Sequence, residues 1–534
     1  MFLQRNTKRV GSKVYHSTLI VERFRQEKKV KHRLIANISK LPMHVIDGIA
    51  QSLRGQESFS DPLAIPRQAG KNFGGLWALH QIAHRLLISK VLGSSRKAML
   101  VLIMIYGRIL TQGSRRHLTF WKEGQAIEEI LAVEKFDEDD LYQAMDWLEA
   151  SQAKIEEKLF RLRYPQGSVT LFLYDLTSSY LEGQKNELAE YGYNRDGKKG
   201  KKQIVLGLLT DKEGSPIAVE VFRGNTADCK TVAAQVQKLA QRFGVQEAVL
   251  VGDRGMIKKV GIESLKEKNW PYITAITKAQ IESLIKKGVF QLGLFEEKLV
   301  EIEHQHIRYI LRRNPIRAQE IQINRMQRMQ KIERFCQTLN EKLAQKPKAK
   351  EPIALRDLKA KISRLKLTSV FNVEIKNRVL TLTQNPKALQ ELSRLDGCYV
   401  LKTDLCKEKL TTEEVHSMYK NLSFVEWAFR TFKTGFLEIR PLYHRKANRT
   451  RACAFIAMLA YMICHHIYQH CKTLNIPLQP LIEILDQIQT QSFQISAQWI
   501  TVLPTSLRPD QQKIFDALKL KFPKTLSQKL KHTA

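Results

Sequence analysis

The sequence is poor in pairable cysteine, in long apolar stretches and in negative charge, and each shortage excludes a class of protein. Its seven cysteines, at 229, 336, 398, 406, 453, 464 and 471, are scattered through 534 residues with no CxxC pair. That spacing excludes a disulfide framework and a zinc ribbon, and it suits a reducing compartment. The longest apolar runs are Ala98–Tyr106 and Ala452–Cys464. Both fall short of the ~18–20 residues that span a bilayer, so both are expected as core helices. Arg5, Lys8 and Arg9 are not followed by an apolar stretch, so no secretory signal is expected. There is no GxxxxGK[ST] phosphate loop, which argues against an ATP-driven machine. No internal repeat is visible. The expected setting is the cytoplasm, with no membrane partner.

Asp and Glu number 53 against 87 Lys and Arg, giving 87 − 53 = +34 at pH 7. Such a surplus predicts a polyanionic partner, most commonly nucleic acid. Hydrophobic content of 43% supplies ordinary cores and excludes wholesale disorder.

Hydrophobic period divides the chain. Residues 1–60 read as a basic β-unit for DNA contact, with strand-like alternation around Val14–Tyr15, Leu19–Val21 and Val30–Ile38. Residues 61–165 turn helical, with Asp137, Asp139 and Asp140 at a helix start. There Arg115, Arg116 and His117 follow Gly113-Ser114, which fits either a helix-turn-helix unit or a plain bundle. Residues 166–277 give the order β-β-β-α-β-α-β, with Ile204–Leu209 and Ile217–Phe222 joined as a hairpin through Asp211-Lys212-Glu213-Gly214. That order predicts a mixed α/β sheet. Residues 278–396 interrupt it as a β-rich and helical insertion, 397–475 resume it, and 476–534 read as a basic C-terminal tail.

Three acids stand out by position. Asp175 follows Leu171-Phe172-Leu173-Tyr174, and Asp253 follows Val249-Leu250-Val251-Gly252. A carboxylate at the end of an apolar strand is costly to bury unless a cation neutralises it; the plainer alternative is a turn former or helix cap. Glu426 lies on an expected helix over Val415–Phe432, where Tyr419, Arg430 and Lys433 share roughly its face. Carboxylates brought together raise one another's pKa and need divalent ions to stay ionised. Such hard oxygen ligands suit Mg²⁺ or Mn²⁺, and two such ions can drive phosphodiester chemistry.

Five motifs then combine in order. They are Leu173-Tyr174-Asp175-Leu176-Thr177-Ser178, Tyr191-Gly192-Tyr193-Asn194-Arg195-Asp196, Val221-Phe222-Arg223-Gly224-Asn225-Thr226-Ala227-Asp228, Gly252-Asp253-Arg254-Gly255-Met256, and Tyr419 through Glu426 with Arg430 and Lys433. The set resembles the DDE transposases of bacterial insertion sequences, of the insertion sequence 1634 type within the insertion sequence 4 superfamily. The resemblance implies an RNase H-like core in which Asp175, Asp253 and Glu426 are catalytic and bind two Mg²⁺ or Mn²⁺ ions. It implies that the protein binds the inverted-repeat ends of its element, cuts them and joins the 3′-hydroxyls to target DNA, as a homodimer on the nucleoid of a prokaryote. The family's Tyr-x2-Arg-x3-Glu-x6-Lys signature is met by Tyr419, Glu426 and Lys433, with Leu422 in the arginine place. Tyr419, Lys420, Arg430, Lys433 and Arg254 are therefore the expected DNA contacts. Two other functions compete: a catalytically inactive DNA-binding derivative or repressor, and an RNase H-like nuclease that only hydrolyses.

Overall fold

The computed structural model describes residues 1–10, 13–26, 29–54, 67–68, 70–165, 171–183, 185–198, 200–433, 436–495 and 498–526. The chain forms two compact units: Met1–Phe73 with Ile488–Arg508 and Phe522–Ala534, and Gly74–Gln487 with Pro509–Lys521.

The first unit opens with an antiparallel sheet in the order β1-β2-β3, formed by β1 (Phe2–Val10), β2 (Lys13–Gln26) and β3 (Lys29–Asn37). β2 and β3 coincide with the alternation in the sequence. β1 has no such pattern, because its middle reads Gln-Arg-Asn-Thr-Lys-Arg, and it is held by backbone pairing from Phe2↔Val21 to Val10↔Lys13. Arg5, Lys8, Arg9, Arg23, Arg25, Lys31 and Arg33 are all exposed. A two-residue strand, β4 (Arg67–Gln68), follows a helix at Met43–Leu53.

The second unit is organised around an eight-stranded mixed sheet. Its strands are β5 (Leu171–Tyr180), β6 (Gln203–Thr210), β7 (Pro216–Arg223), β8 (Val249–Gly252), β9 (Tyr272–Ala275), β10 (Val300–His304) and β11 (Ile307–Arg313). A separate hairpin, β12 (Phe371–Lys376) and β13 (Val379–Gln384), precedes the eighth strand, β14 (Cys398–Thr403). The order is β10-β11-β14-β9-β8-β5-β6-β7. β5, β8 and β9 run parallel, and the other neighbours are antiparallel. The expected hairpin is present, from Leu209↔Ala218 to Ile204↔Arg223.

Helix Ala447–Cys471 packs against helices Arg96–Leu110 and Glu138–Arg163 and against β7. Over Ala447–Leu474 it is long and apolar enough to cross a membrane by composition, yet 83% of its most apolar window is buried in this fold. The helix at Glu138 starts where expected, with a reciprocal cap between Asp137 and Asp140.

The insertion is more divided than its sequence suggests. β10 and β11 extend the main sheet, where Tyr309 and Leu311 share a core with Ile281, Phe290, Phe295 and Val400, and the later part has a core of its own. There Ile332, Leu339, Leu358 and Leu380 pack helices Pro315–Gln345 and Glu351–Arg364 against β12 and β13. The segment expected as a basic tail is largely regular: helix Leu478–Asp486, a hairpin of β15 (Gln491–Ile495) and β16 (Gln498–Val502), and helix Pro509–Ala517. Leu481, Ile482, Leu485, Ile514 and Phe515 recur at helical spacing and are buried; the run of lysines that suggested a tail begins only at Lys519. β15 pairs with β16 and β4 within the first unit. Lys529 and Lys531 lie outside the described residues.

Candidate active site

β5 is buried on both faces. Phe172, Tyr174 and Leu176 join a core with Val205, Leu250 and Tyr272, so the two-residue alternation sends Asp175 to the other face. There the helix Leu422–Lys433 packs on the strand. Asp175 sits mid-strand, not at a strand end as expected. β5 continues to Tyr180 through buried Thr177, Ser178 and Ser179, whose polarity disguises a strand. β5 and β8 pair in parallel up to Tyr174↔Gly252, so Asp253 leaves β8 level with Asp175.

Asp175, Asp253 and Glu426 line one cavity of about 370 Å³, together with Tyr419, Lys420 and Ser423. Asp175 is half-buried, whereas Asp253 and Glu426 are exposed within the cavity. Asp175 Oδ1 accepts a hydrogen bond from the Leu176 amide at 2.7 Å, and Asp253 Oδ1 accepts one from the Arg254 amide at 2.7 Å. Burial pushes the Asp175 carboxyl up to about 7, and the charges of Asp253 and Glu426 push the same way, against the Leu176 amide and Arg195. Tyr419 is also raised, by burial first and by Asp253, Glu426 and Asp175 after it. The three acids therefore share one electrostatic environment. Among the described residues, however, no three His, Cys, Asp or Glu side chains are gathered closely enough to hold one ion.

Three residues of the rim carried no sequence signal of function. Asn314 caps helix Pro315–Gln345, accepting from the Arg317 amide at 3.1 Å. Tyr399 lies on β14, its hydroxyl 2.5 Å from His416 Nε2. His416 is buried, and its ring is pushed down to about 4 by burial first and then by Lys420 and Arg312. The insertion and the strand after it thus complete the cavity wall. Only the Asn314-Pro315 pair, a helix-start signature, marked this in the sequence.

The expected helix Val415–Phe432 is two helices, Thr412–Lys420 and Leu422–Lys433, separated at Asn421. Asn421 Nδ2 donates to the Lys212 carbonyl at 3.1 Å, fastening the break to the β6–β7 turn. Tyr419 and Glu426 therefore reach the cavity from different helices rather than along one face. Lys433 is committed elsewhere: its Nζ lies 2.9 Å from Asp196 Oδ1, which also takes Arg440 Nη1 at 2.7 Å, and the Asp196 side chain is 1% exposed. Arg430 is exposed on the same helix. Arg254 lines a neighbouring cavity of about 670 Å³ with Lys258, Lys266 and Lys402. Arg195 Nη2 donates to both carboxylate oxygens of Asp228 at 2.6 and 2.7 Å, and the Arg195 amide donates to Ser178 Oγ at 2.9 Å. Two of the recognised motifs are thereby tied to β5 beside Asp175.

Two family models match this chain. Residues 168–463 match the Transposase DDE domain, and residues 3–68 match the N-terminal domain of the IS1634 family transposases. The first match covers more than half of the chain and contains every wall of the carboxylate cavity. The chain therefore belongs to the DDE transposases, and its N-terminal match places it in the IS1634 family. No curated protein matches it in sequence. Among solved structures, it is similar to a piggyBac transposase in a synaptic complex with hairpin DNA, at 10% identity and a TM-score of 0.36, over 73% of this chain and 69% of that one. It is also similar to Mos1 transposase in a paired-end complex and in a strand transfer complex. Both give 13% identity and a TM-score of 0.15, over 30% of this chain and 58% of that one. Likenesses this slight add nothing to the family assignment.

Proposed function

We propose that this transposase binds the terminal inverted repeats of its insertion sequence, cleaves the element ends and transfers their 3′-hydroxyls to target DNA, using an RNase H-like core. The observation that carries this is the single cavity lined by Asp175, Asp253 and Glu426, residues far apart along the chain. The donor set fits Mg²⁺ or Mn²⁺: three carboxylates in one electrostatic field, one of them held near neutrality by burial and its neighbours' charge. Asp175, Asp253 and Glu426 would hold two such ions. When bound, the metal supplies an activated oxygen nucleophile and stabilises the leaving oxygen of the phosphodiester.

The chain's own residues do the rest. β5 and the end of its neighbour β8 set the two aspartates level with each other, and the helix Leu422–Lys433 brings the glutamate to the same cavity. Lys420 on the cavity rim, with Arg254 and Arg430 nearby, offers positive charge to the strand's phosphates. Lys433 acts through Asp196, holding the loop 191–196 against the end of the glutamate helix. The exposed basic face of β1, β2 and β3 supplies sequence-independent attraction to the duplex. A homodimer, holding two ends together in the cytoplasm on the nucleoid, completes the proposal.

The test is cleavage of a duplex bearing the element's own end by the purified chain with Mg²⁺. Wild type should nick and join; Asp253→Ala should bind the end and do neither. Salt-sensitive binding without metal-dependent cutting by the wild type would identify an inactive DNA-binding derivative, and cutting without joined products would identify a pure nuclease.

A further inference from the structure

The second unit contains another cavity, of about 250 Å³, whose chemistry the carboxylate site does not use. Two arginines line it from inside the fold: Arg115 is 4% exposed and Arg108 is 8%. Arg115, which the sequence assigns to a helix-turn-helix unit or a plain bundle, is buried. Among the described residues, neither arginine has a carboxylate partner. Arg108 Nη1 donates to the carbonyls of Leu437 at 3.3 Å and Glu438 at 3.5 Å, and its Nη2 lies 3.9 Å from Cys453 Sγ. Arg115 Nε lies 3.3 Å from Met145 Sδ, and its Nη2 lies 4.0 Å from the same Cys453 Sγ. Thioether and thiol sulfurs are weak acceptors and neutralise nothing.

A guanidinium stays charged even when buried, and a buried charge without a partner is strongly destabilising. Burial, and then the charge of Arg108, pull the Arg115 guanidinium down to about 10. On the same wall, His444 Nδ1 is buried and has no hydrogen-bond partner. Its ring is held neutral, pushed down to about 3 by burial and by Arg115, Arg108 and Arg449. The remaining charged neighbours are accounted for. Arg440 is paired with Asp196, Arg449 with Asp146, and Glu438 is exposed and pairs with neither buried arginine. Two unneutralised forks and one orphaned ring nitrogen therefore converge on one pocket.

We propose that this cavity is an oxyanion pocket that takes one phosphate group, gripped by Arg115 and Arg108 with His444 donating from Nδ1. Paired guanidiniums match the several acceptor oxygens of phosphate, which can be met bidentately by each fork. The volume lies below the ~300–1,000 Å³ of sites for drug-sized ligands, so it suits a single small anion or one phosphodiester of a strand. The pocket stands whether or not the chain cuts DNA, because it involves none of the three acids.

The experiment is thermal unfolding of the full chain against inorganic phosphate, at ionic strength held constant with sodium chloride. Wild type should gain Tm saturably. Arg115→Met should abolish that gain without lowering the phosphate-free Tm, because the charge it removes has no partner. Arg115→Lys keeps a charge but loses the fork, and should weaken phosphate binding by about tenfold; Lys331→Met, on the exposed face of the insertion helix, should leave it unchanged. If Arg115→Met does not fold, Arg115→Lys and Arg108→Lys carry the same comparison. Absence of a phosphate-specific gain in wild type, an equal gain with acetate, or a gain retained in both arginine variants would overturn the proposal. Saturating oligothymidylate without a terminal phosphate then separates the sources. If it removes the effect of free phosphate, the pocket takes a strand's phosphodiester; if the effect persists, it takes the free anion.

Discussion

The protonation of Asp175 should gate divalent-cation binding within the physiological pH range. In the ion-free protein its carboxyl is pushed up to about 7, so a cation must displace a proton there. The ionised fraction rises from ~0.09 at pH 6 to ~0.91 at pH 8 for a group titrating at about 7, so apparent affinity should strengthen by about tenfold. An aspartate at its ordinary value near 3.9 would give almost no change over that interval. The sign follows from burial: desolvation and like charge favour the neutral form, so acid opposes the metal. Mn²⁺ binding to the full chain, followed by electron paramagnetic resonance at constant ionic strength, measures this directly. Asp175→Asn should bind weakly and lose the pH dependence. A flat wild-type profile, or the same tenfold slope in Asp175→Asn, would refute the reasoning.

Other outcomes follow from particular contacts. Gly214 has φ +81°, and a Cβ added there would lie 2.5 Å from Phe424 Cβ; Gly214→Ala should cost about 1–3 kcal/mol of stability in denaturant titration and weaken cleavage by shifting the glutamate helix. Asp196→Ala strands Lys433 and Arg440 and should cost about 3–5 kcal/mol, again read by denaturant unfolding. Arg9→Ala combined with Lys31→Ala, both exposed on the N-terminal sheet, should reduce the logarithmic salt slope of DNA binding by about 1.8 if each meets one phosphate. Fluorescence anisotropy across salt concentrations measures that slope.

Much of the central sheet was legible because its strands are short apolar runs bounded by strong turn residues. Asp211 through Gly214 closed the β6–β7 hairpin, and Val249–Gly252 and Tyr272–Ala275 emerged with nearly their true limits. Asp175 and Asp253 were legible for a related reason, since a carboxylate beside such a run is conspicuous, whereas Glu426 was legible through the motif on its helix. What escaped was structure held by tertiary context. The second half of β5 is polar and buried, β1 is basic and lacks apolar alternation, and the break at Asn421 depends on the remote carbonyl of Lys212. Asn314, Tyr399 and His416 reach the cavity only because the insertion starts and ends beside it. The inward turn of Arg115 was invisible for the opposite reason: arginine after a glycine-serine pair ordinarily signals a surface.

The two ends of the insertion's helical part lie side by side. β11 and β14 pair to Arg313↔Cys398, and the Asn314 amide donates to the Gly397 carbonyl at 2.9 Å. A cassette plugged in through adjacent sockets can lengthen, shrink or be swapped without altering the strand register on the catalytic side. Evolution can thus remodel the far end of the insertion while the strands around the carboxylates stay put.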